Sequence, residues 1–383
     1  MKKAAVIAAA ATLFTSLVTA SPALVHARAG EFRGAWLHTV SQQKRFAGKN
    51  AAQLKSYFTA AVDSLQAAGI NTVIFQVRPE GDAFYRSRHE PWSRYLTGEQ
   101  GKAPEGGFDP LEFMIKLCHA RKMELHAWIN PYRMTVDKNE RLCASHLYHR
   151  HPERFVTYDG RIYLDPGLPE NREWIRMIAR DIVSRYEVDG IHIDDYFYPY
   201  PVKGLSFGDD RSFAKYARRL GVTDRGDFRR KSVDLLVKGL HDDLRALKPK
   251  VRFGVSPFGI YRNRKNWSAG SNTDGLQCYD DLYADVLKWA GAGWIDYLVP
   301  QLYWEIGHSR ADYQHLCNWW ASHVPANCRL YIGQSIERSM EGDQFVKKLN
   351  QARKLKKIAG QCFWYGWLIV ENDFHIREFL KRL

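Results

Sequence analysis

The sequence predicts a closed (β/α)8 TIM barrel with long loops on its carboxyl-terminal face. Three observations carry that prediction. From Gly30 onward, eight short apolar runs alternate with helix-like segments, the segments after several strands are far longer than those after helices, and no Gly-rich phosphate loop follows the first strand. Strand-helix alternation builds a parallel sheet, and eight such units with right-handed crossovers close on themselves. An open doubly wound sheet would ordinarily carry a Gly-rich turn after its first strand.

The strands, in order, read FRGAWLHT, INTVIFQV, MELHAWIN, VDGIHIDD, VRFGVSPF, WIDYLVP, RLYIGQS and QCFWYGW. Each is a short run of apolar, β-branched or aromatic residues, the pattern of a strand covered on both faces. Helical spacing of apolar residues marks Ala51 to Ala68, Pro110 to Arg121, Asn171 to Tyr186, Asp227 to Leu247, Asp280 to Ala292, Ala311 to Ser322 and Asp343 to Ile358, with a final helix from Asp373 to Leu383. The long segments after strands two to five cover Arg78 to Gly107, Asn130 to Glu170, Tyr196 to Gly226 and Phe258 to Tyr279. In a barrel all of these open on one face, which predicts a deep, elaborated cleft there. With no repeat and no low-complexity linker, residues 30–383 form one domain.

The start of the chain has another purpose. Lys2 and Lys3 precede an apolar run to about Ala20, and Ala27-Arg28-Ala29 is a small-x-small cleavage site, so residues 1–29 are expected to be a secretory signal and the mature protein periplasmic or secreted. The run is short for a membrane span and no second one follows. The formal charge is +14, and the mature chain stays basic after losing Lys2, Lys3 and Arg28. Its Lys and Arg are scattered without a basic stripe or nucleic-acid motif, which argues against nucleic acid and for weak attraction to an anionic envelope polymer. With 12 Trp, 20 Tyr and 19 Phe, the chain has more aromatic surface than a core needs, and aromatic faces hold sugars. Six Cys in an exported chain permit disulfides. Cys317 with Cys328 would close a short helix-to-strand loop, whereas Cys118, Cys278 and Cys362 read as buried thiols.

The segment from Val188 to Pro201, VDGIHIDDYFYPYP, is the most informative. Side chains alternate along a strand, so Ile191 and Ile193 face the helices while His192 and Asp194 face the barrel interior. Asp194 then stands at the strand's carboxyl end, where barrel enzymes keep catalytic groups. Asp195 points the other way and orients a partner or binds substrate. Other strand ends also carry unexpected polar or aromatic groups: Trp36, Gln76 and Arg78 with Glu80 and Asp82, then Trp128, Asn130, Tyr132 and Arg133, then Ser256, and last Gln301, Tyr303, Trp304 and Glu305. Glycosidic cleavage needs one acid to protonate the leaving oxygen and one carboxylate for the sugar carbon or a water. Asp194 is the nucleophile or base of this reading. Glu305 is its acid, expected to stay protonated through desolvation by Trp304 and Tyr303. Glu80, Asp82 and Asp165 are the reserves, and no cofactor or metal is expected.

Taken together, EFRGAWLHT, INTVIFQVRPEGDAFY, ELHAWINPYR, YLDPGLPENREWI, VDGIHIDDYFYP, GVSPFGIYRN and WIDYLVPQLYW resemble glycosyl-hydrolase-like family ten, a group of exported bacterial barrel proteins. The resemblance covers nearly all of the mature chain. It implies a (β/α)8 glycosidase-like fold and hydrolysis of an amino-sugar wall glycan, since a characterised relative acts on peptidoglycan strands stripped of peptides. DGIHID is also similar to the DGxRxD motif of amylase-type enzymes, which implies the nucleophile role for Asp194. His192 stands where that motif has Arg, and strand five offers Ser256 where amylases carry their acid. Arg78 or Arg133 would pair with a lactyl carboxylate of such a glycan.

Two other functions compete. A metal-dependent polysaccharide deacetylase would use His192, Asp194 and Asp195 with His146, His149 and His151, although those three also read as a solvated basic turn. A non-catalytic glycan-binding barrel would use the aromatic rim alone.

Overall fold

The computed structural model describes residues 28–340 and 343–381. Eight parallel strands close a barrel: β1 (Phe32–Leu37), β2 (Thr72–Arg78), β3 (Glu124–Ile129), β6 (Gly190–Ile193), β7 (Arg252–Val255), β8 (Tyr297–Leu298), β9 (Arg329–Ser335) and β10 (Ile358–Trp364). Neighbours in this order pair with each other, and β10 returns to β1 through the Phe32 and Gly360 register. Each coincides with one of the eight apolar runs. A two-stranded antiparallel hairpin, β4 (Phe155–Tyr158) and β5 (Arg161–Leu164), lies within the long segment after β3.

The two faces of the strands sort as alternation requires. Val73, Phe75, Leu125, Ala127, Ile191, Ile193, Phe253 and Val255 join the outer core with the helices. Phe32, Trp36, Ile74, Trp128, Tyr297 and Tyr331 fill the barrel interior. At its base Phe32 and Tyr331 stack with centroids 3.9 Å apart. Tyr297 reaches the middle only because Gly254 faces it: a Cβ on residue 254 would lie 1.9 Å from Tyr297 Cζ. Bulk on one strand is matched by its absence on the next, which is how a small barrel reaches core density.

Several expectations are corrected by the fold. The segment expected as one helix over Asp280 to Ala292 is two, Cys278–Asp281 and Val286–Gly291, because Tyr283 between them takes a left-handed φ of 56°. The last helix begins earlier, at Gly366–Glu371, and resumes as Ile376–Leu380 after a break at Asn372, Phe374 and His375, all with positive φ. An additional helix, Asp210–Tyr216, and the β4–β5 hairpin organise segments read from sequence as plain loops. Cys317 and Cys328 are both buried free thiols, as are Cys118, Cys278 and Cys362, so no disulfide closes the helix-to-strand loop. Among the described residues no helix is long and apolar enough to cross a membrane. The expected secretory signal lies almost wholly outside the described residues, which begin at Arg28, whose guanidinium donates to the Ile358 carbonyl at 3.1 Å.

Candidate active site

β6 stops at Ile193, and the two residues beyond it enter one cavity of about 320 Å³ at the carboxyl-terminal mouth of the barrel. Every barrel strand except β2 leads into the lining. Trp36 comes from β1, Trp128 from β3, Asp194, Asp195, Tyr196 and Tyr200 follow β6, Ser256 and Phe258 follow β7, Gln301, Tyr303 and Trp304 follow β8, Arg338 follows β9, and Trp364 ends β10.

Asp194 is 4% exposed and held from three directions. Its Oδ2 accepts from Trp128 Nε1 at 3.0 Å and Asn130 Nδ2 at 3.0 Å, and its Oδ1 accepts from the Tyr196 backbone N–H at 3.1 Å. Burial raises its carboxyl above the usual range, opposed by the Arg133 charge and these donors. Asp195, 3% exposed, accepts a hydrogen bond from the Tyr200 hydroxyl. Burial, and then the adjacent Asp194 charge, push its carboxyl up to about 6. Two neighbouring carboxyls thus sit in one cavity, one surrounded by N–H donors and the other disposed to keep its proton.

Beneath them runs a buried polar chain. Trp36 Nε1 donates to His192 Nε2 at 3.2 Å, so that nitrogen is the acceptor and the ring proton is on Nδ1, facing the Tyr297 hydroxyl at 3.0 Å. The Ser256 hydroxyl also meets His192 Nε2, at 2.9 Å. Burial holds this imidazole well below its ordinary value, so it stays neutral. Tyr297 continues to His126 Nδ1 at 2.6 Å. His192 therefore sets the orientation of Trp36 and Ser256 from inside the barrel, a position given by its alternation with Ile191 and Ile193.

The fate of the other sequence-predicted residues is mixed. Trp36, Trp128, Asp194, Asp195, Gln301, Tyr303 and Trp304 converge on the cavity. Asn130 and Arg133 stand behind it: Asn130 bridges Asp194 to the Arg133 backbone N–H, and the Arg133 guanidinium lies over the Tyr196 ring at 5.0 Å. Tyr132 is fully buried among core residues. Arg78, expected to meet a substrate carboxylate, is fully buried, gripped by Glu90 at 2.6 and 2.7 Å and aimed at the Asn130 and Pro131 carbonyls. It holds the β2 and β3 loops together instead. Glu80 and Asp82 are buried beside Arg94 and Gln100, outside the cavity lining. Burial and the mutual charge of this pair push Glu80 well up, and burial pushes Asp82 up to about 6. Asp165 accepts from the Gly167 N–H at 2.8 Å, also outside the lining.

Glu305 is exposed and is not among the lining residues, so Trp304 and Tyr303 line the cavity without enclosing it. The three loop histidines have separate tasks: His146 Nδ1 caps a turn through the Tyr148 N–H, His149 meets the Leu142 carbonyl, and His151 faces Glu153. Among the described residues no group of three or more His, Cys, Asp or Glu side chains is arranged to hold a metal ion. Sequence reasoning missed Tyr196, Tyr200, Arg338 and Trp364, though the strand-end rule that found Asp194 applies equally to Trp364 and nearly so to Arg338.

With this geometry in hand, similarity to known proteins narrows the chemistry. Residues 31–349 match the family model described as Glycosyl hydrolase-like 10. The chain is 37% identical over 367 residues to glycosyl hydrolase YngK of Bacillus subtilis, covering 92% of this chain and 71% of that protein. It is 38% identical over 333 residues to glycosyl hydrolase DigH of Escherichia coli K12, covering 82% and 74%. In fold it is similar to the PgaB (BpsB) glycoside hydrolase domain from Bordetella bronchiseptica, with a TM-score of 0.61 at 11% identity over 91% of this chain and 98% of that one. It is also similar to an endo-1,4-beta-mannanase from Rhizomucor miehei, with a TM-score of 0.53 at 11% identity over 89% and 87%.

Proposed function

Because the chain belongs to the Glycosyl hydrolase-like 10 family, we propose that this cavity hydrolyses a glycosidic bond of an envelope glycan, peptide-stripped peptidoglycan, by a mechanism with two carboxyl groups. The observation that carries the reading is the Asp194 and Asp195 pair. Carboxyls whose surroundings differ divide into acid and anion. Asp195, pushed up to about 6, protonates the leaving oxygen. Asp194, surrounded by N–H donors, is the anion. Asp195 takes the acid role first sought at Glu305, whose exposed side chain lies outside the cavity lining.

Three features favour a stripped peptidoglycan strand. At about 320 Å³ the cavity is at the small end of ligand pockets, about 300–1,000 Å³, with little room for peptide stems. Tryptophan and tyrosine faces suit sugar rings. Arg338 is the one Lys or Arg among the described lining residues and makes no side-chain hydrogen bond or ion pair there, so it is the partner for a lactyl carboxylate in place of Arg78 or Arg133. The substrate lies outside the cytoplasm, consistent with a cleaved leader at residues 1–29 and a single barrel domain from residue 30 on.

The test is mass spectrometry of products from stripped peptidoglycan, intact peptidoglycan and cellulose oligomers. Amino-sugar fragments should appear fastest from stripped strands and hardly at all from cellulose. Release of acetate without chain cleavage would favour the deacetylase, and affinity without any turnover would favour a glycan-binding barrel.

A further inference from the structure

Resting on the hydrolase reading above, we infer that the group attacking the sugar carbon is the substrate's own 2-acetamido oxygen, with Asp194 holding the acetamide N–H and Asp195 serving as the acid and then the base. The placement of the carboxyls points to this. An enzyme nucleophile or a base-activated water requires carboxyls on opposite faces of the ring, about 5–5.5 Å apart for retention and about 6.5–9.5 Å for inversion. Among the described residues the cavity is lined by two carboxyls only, consecutive in the chain and both supplied by the segment that follows β6, with no carboxyl from any other strand end. The ends of β1, β9 and β10 contribute Trp36, Arg338 and Trp364 instead.

Asp194 is also built to accept an N–H. Trp128, Asn130 and the Tyr196 backbone fix its carboxylate and spread its charge, which suits a hydrogen-bond acceptor better than a free nucleophile. Its Oδ2 is doubly filled at 3.0 Å, whereas Oδ1 has the Tyr196 N–H at 3.1 Å and only a longer contact to Asn130 at 3.2 Å. Asn130 Nδ2 is shared between the two oxygens and is nearer to Oδ2, so Oδ1 is the less crowded oxygen and the one offered to a further donor. The acetamide also brings a methyl group. Trp364 stands with its ring 6.3 Å from Trp36 and 6.2 Å from Trp128, an apolar corner beside Asp194.

The reaction balances without any other reagent. The acetamide oxygen forms a bond to the anomeric carbon as the bond to the leaving oxygen breaks, and that oxygen takes the Asp195 proton. The acetamide N–H proton moves onto Asp194, giving a neutral bicyclic oxazoline. A water then gives its proton to the Asp195 carboxylate and attacks the same carbon, the oxazoline C–O bond opens, and nitrogen recovers its proton from Asp194. Two displacements leave the anomeric configuration retained.

The wild-type protein suffices for the test. Peptide-stripped strands are N-deacetylated and then re-acylated with acetyl or with trifluoroacetyl groups, the latter of similar shape but with a far weaker carbonyl nucleophile. The inference expects turnover to return with acetyl and to stay at least about 100-fold lower with trifluoroacetyl, at little change in KM, and proton NMR to show retention. Equal turnover on all three strands, or inversion, overturns the inference and leaves the glycosidase reading standing. No fragments from any strand overturns both.

Discussion

Asp195 is one residue from Asp194, and the chemistry proposed depends on how differently the two are surrounded. With Asp195 pushed up to about 6, kcat/KM for stripped strands is expected to fall as pH rises through about 6, because the acid form is lost. It falls again at low pH as Asp194 takes a proton, at a value above the ordinary carboxylate range. Asp195→Asn should cost about 10²- to 10⁴-fold in turnover and abolish the upper limb while the protein still folds, as a cooperative thermal transition checks. An unchanged upper limb would assign the acid elsewhere. Arg338 is the second residue with a sharp prediction. A charge-assisted hydrogen bond is worth about 1.5–3 kcal/mol, so Arg338→Gln should raise KM about 10- to 100-fold for strands bearing lactyl carboxylates. N-acetylglucosamine oligomers, which lack that group, should be unaffected, and equal losses on both would remove Arg338 from carboxylate recognition.

At the scale of elements, the eight strands were legible because a barrel strand is buried on both faces and leaves an apolar run between polar helices. What followed the strands was harder to read. The alternation that placed His192 and Asp194 on one face was carried one residue too far: β6 ends at Ile193, and beyond it the backbone is free to turn Asp195 into the same cavity. β8 is only Tyr297–Leu298, so the path to Glu305 is irregular and its exposure did not follow from periodicity. Arg78 looked available because its partner Glu90 sits twelve residues away across a loop. Gly254 was not singled out at all, since its purpose appears only when Tyr297 is laid across it. Gly254→Ala should therefore destabilise the fold by about 1–3 kcal/mol or more through overpacking. Gly208→Ala, whose Cβ would meet Val156 at an ordinary 3.4 Å, should change stability by no more than about 0.5 kcal/mol. Equal thermal midpoints for the two variants would mean that the barrel interior yields to Tyr297.

Across the whole molecule, the buried titratable groups oppose one another. Asp82, Asp165 and Asp195 are each pushed up to about 6 by burial. Between their unfolded values near 4 and about 6 the native state holds protons that the unfolded chain has released, so each contributes stability that declines as pH rises. His38, His126 and His146 are lowered to about 4 by burial. Over nearly the same window the unfolded chain binds protons that the native state refuses, so each makes stability increase with pH. Glu80 and Asp194 add to the first set and His192 to the second. Near-cancellation predicts a thermal midpoint that changes by only a few degrees between pH 4.5 and 6, the range in which Asp195 is protonated enough to act as an acid. Asp165→Asn tests the balance, because asparagine keeps an acceptor for the Gly167 N–H but does not titrate. Removing one declining contribution should tilt the profile upward, by as much as about 1.4 kcal/mol per pH unit within the window. Calorimetric scans giving the same pH profile for Asp165→Asn and wild type would mean that Asp165 titrates at its ordinary value in the fold. The flat range would then need another origin.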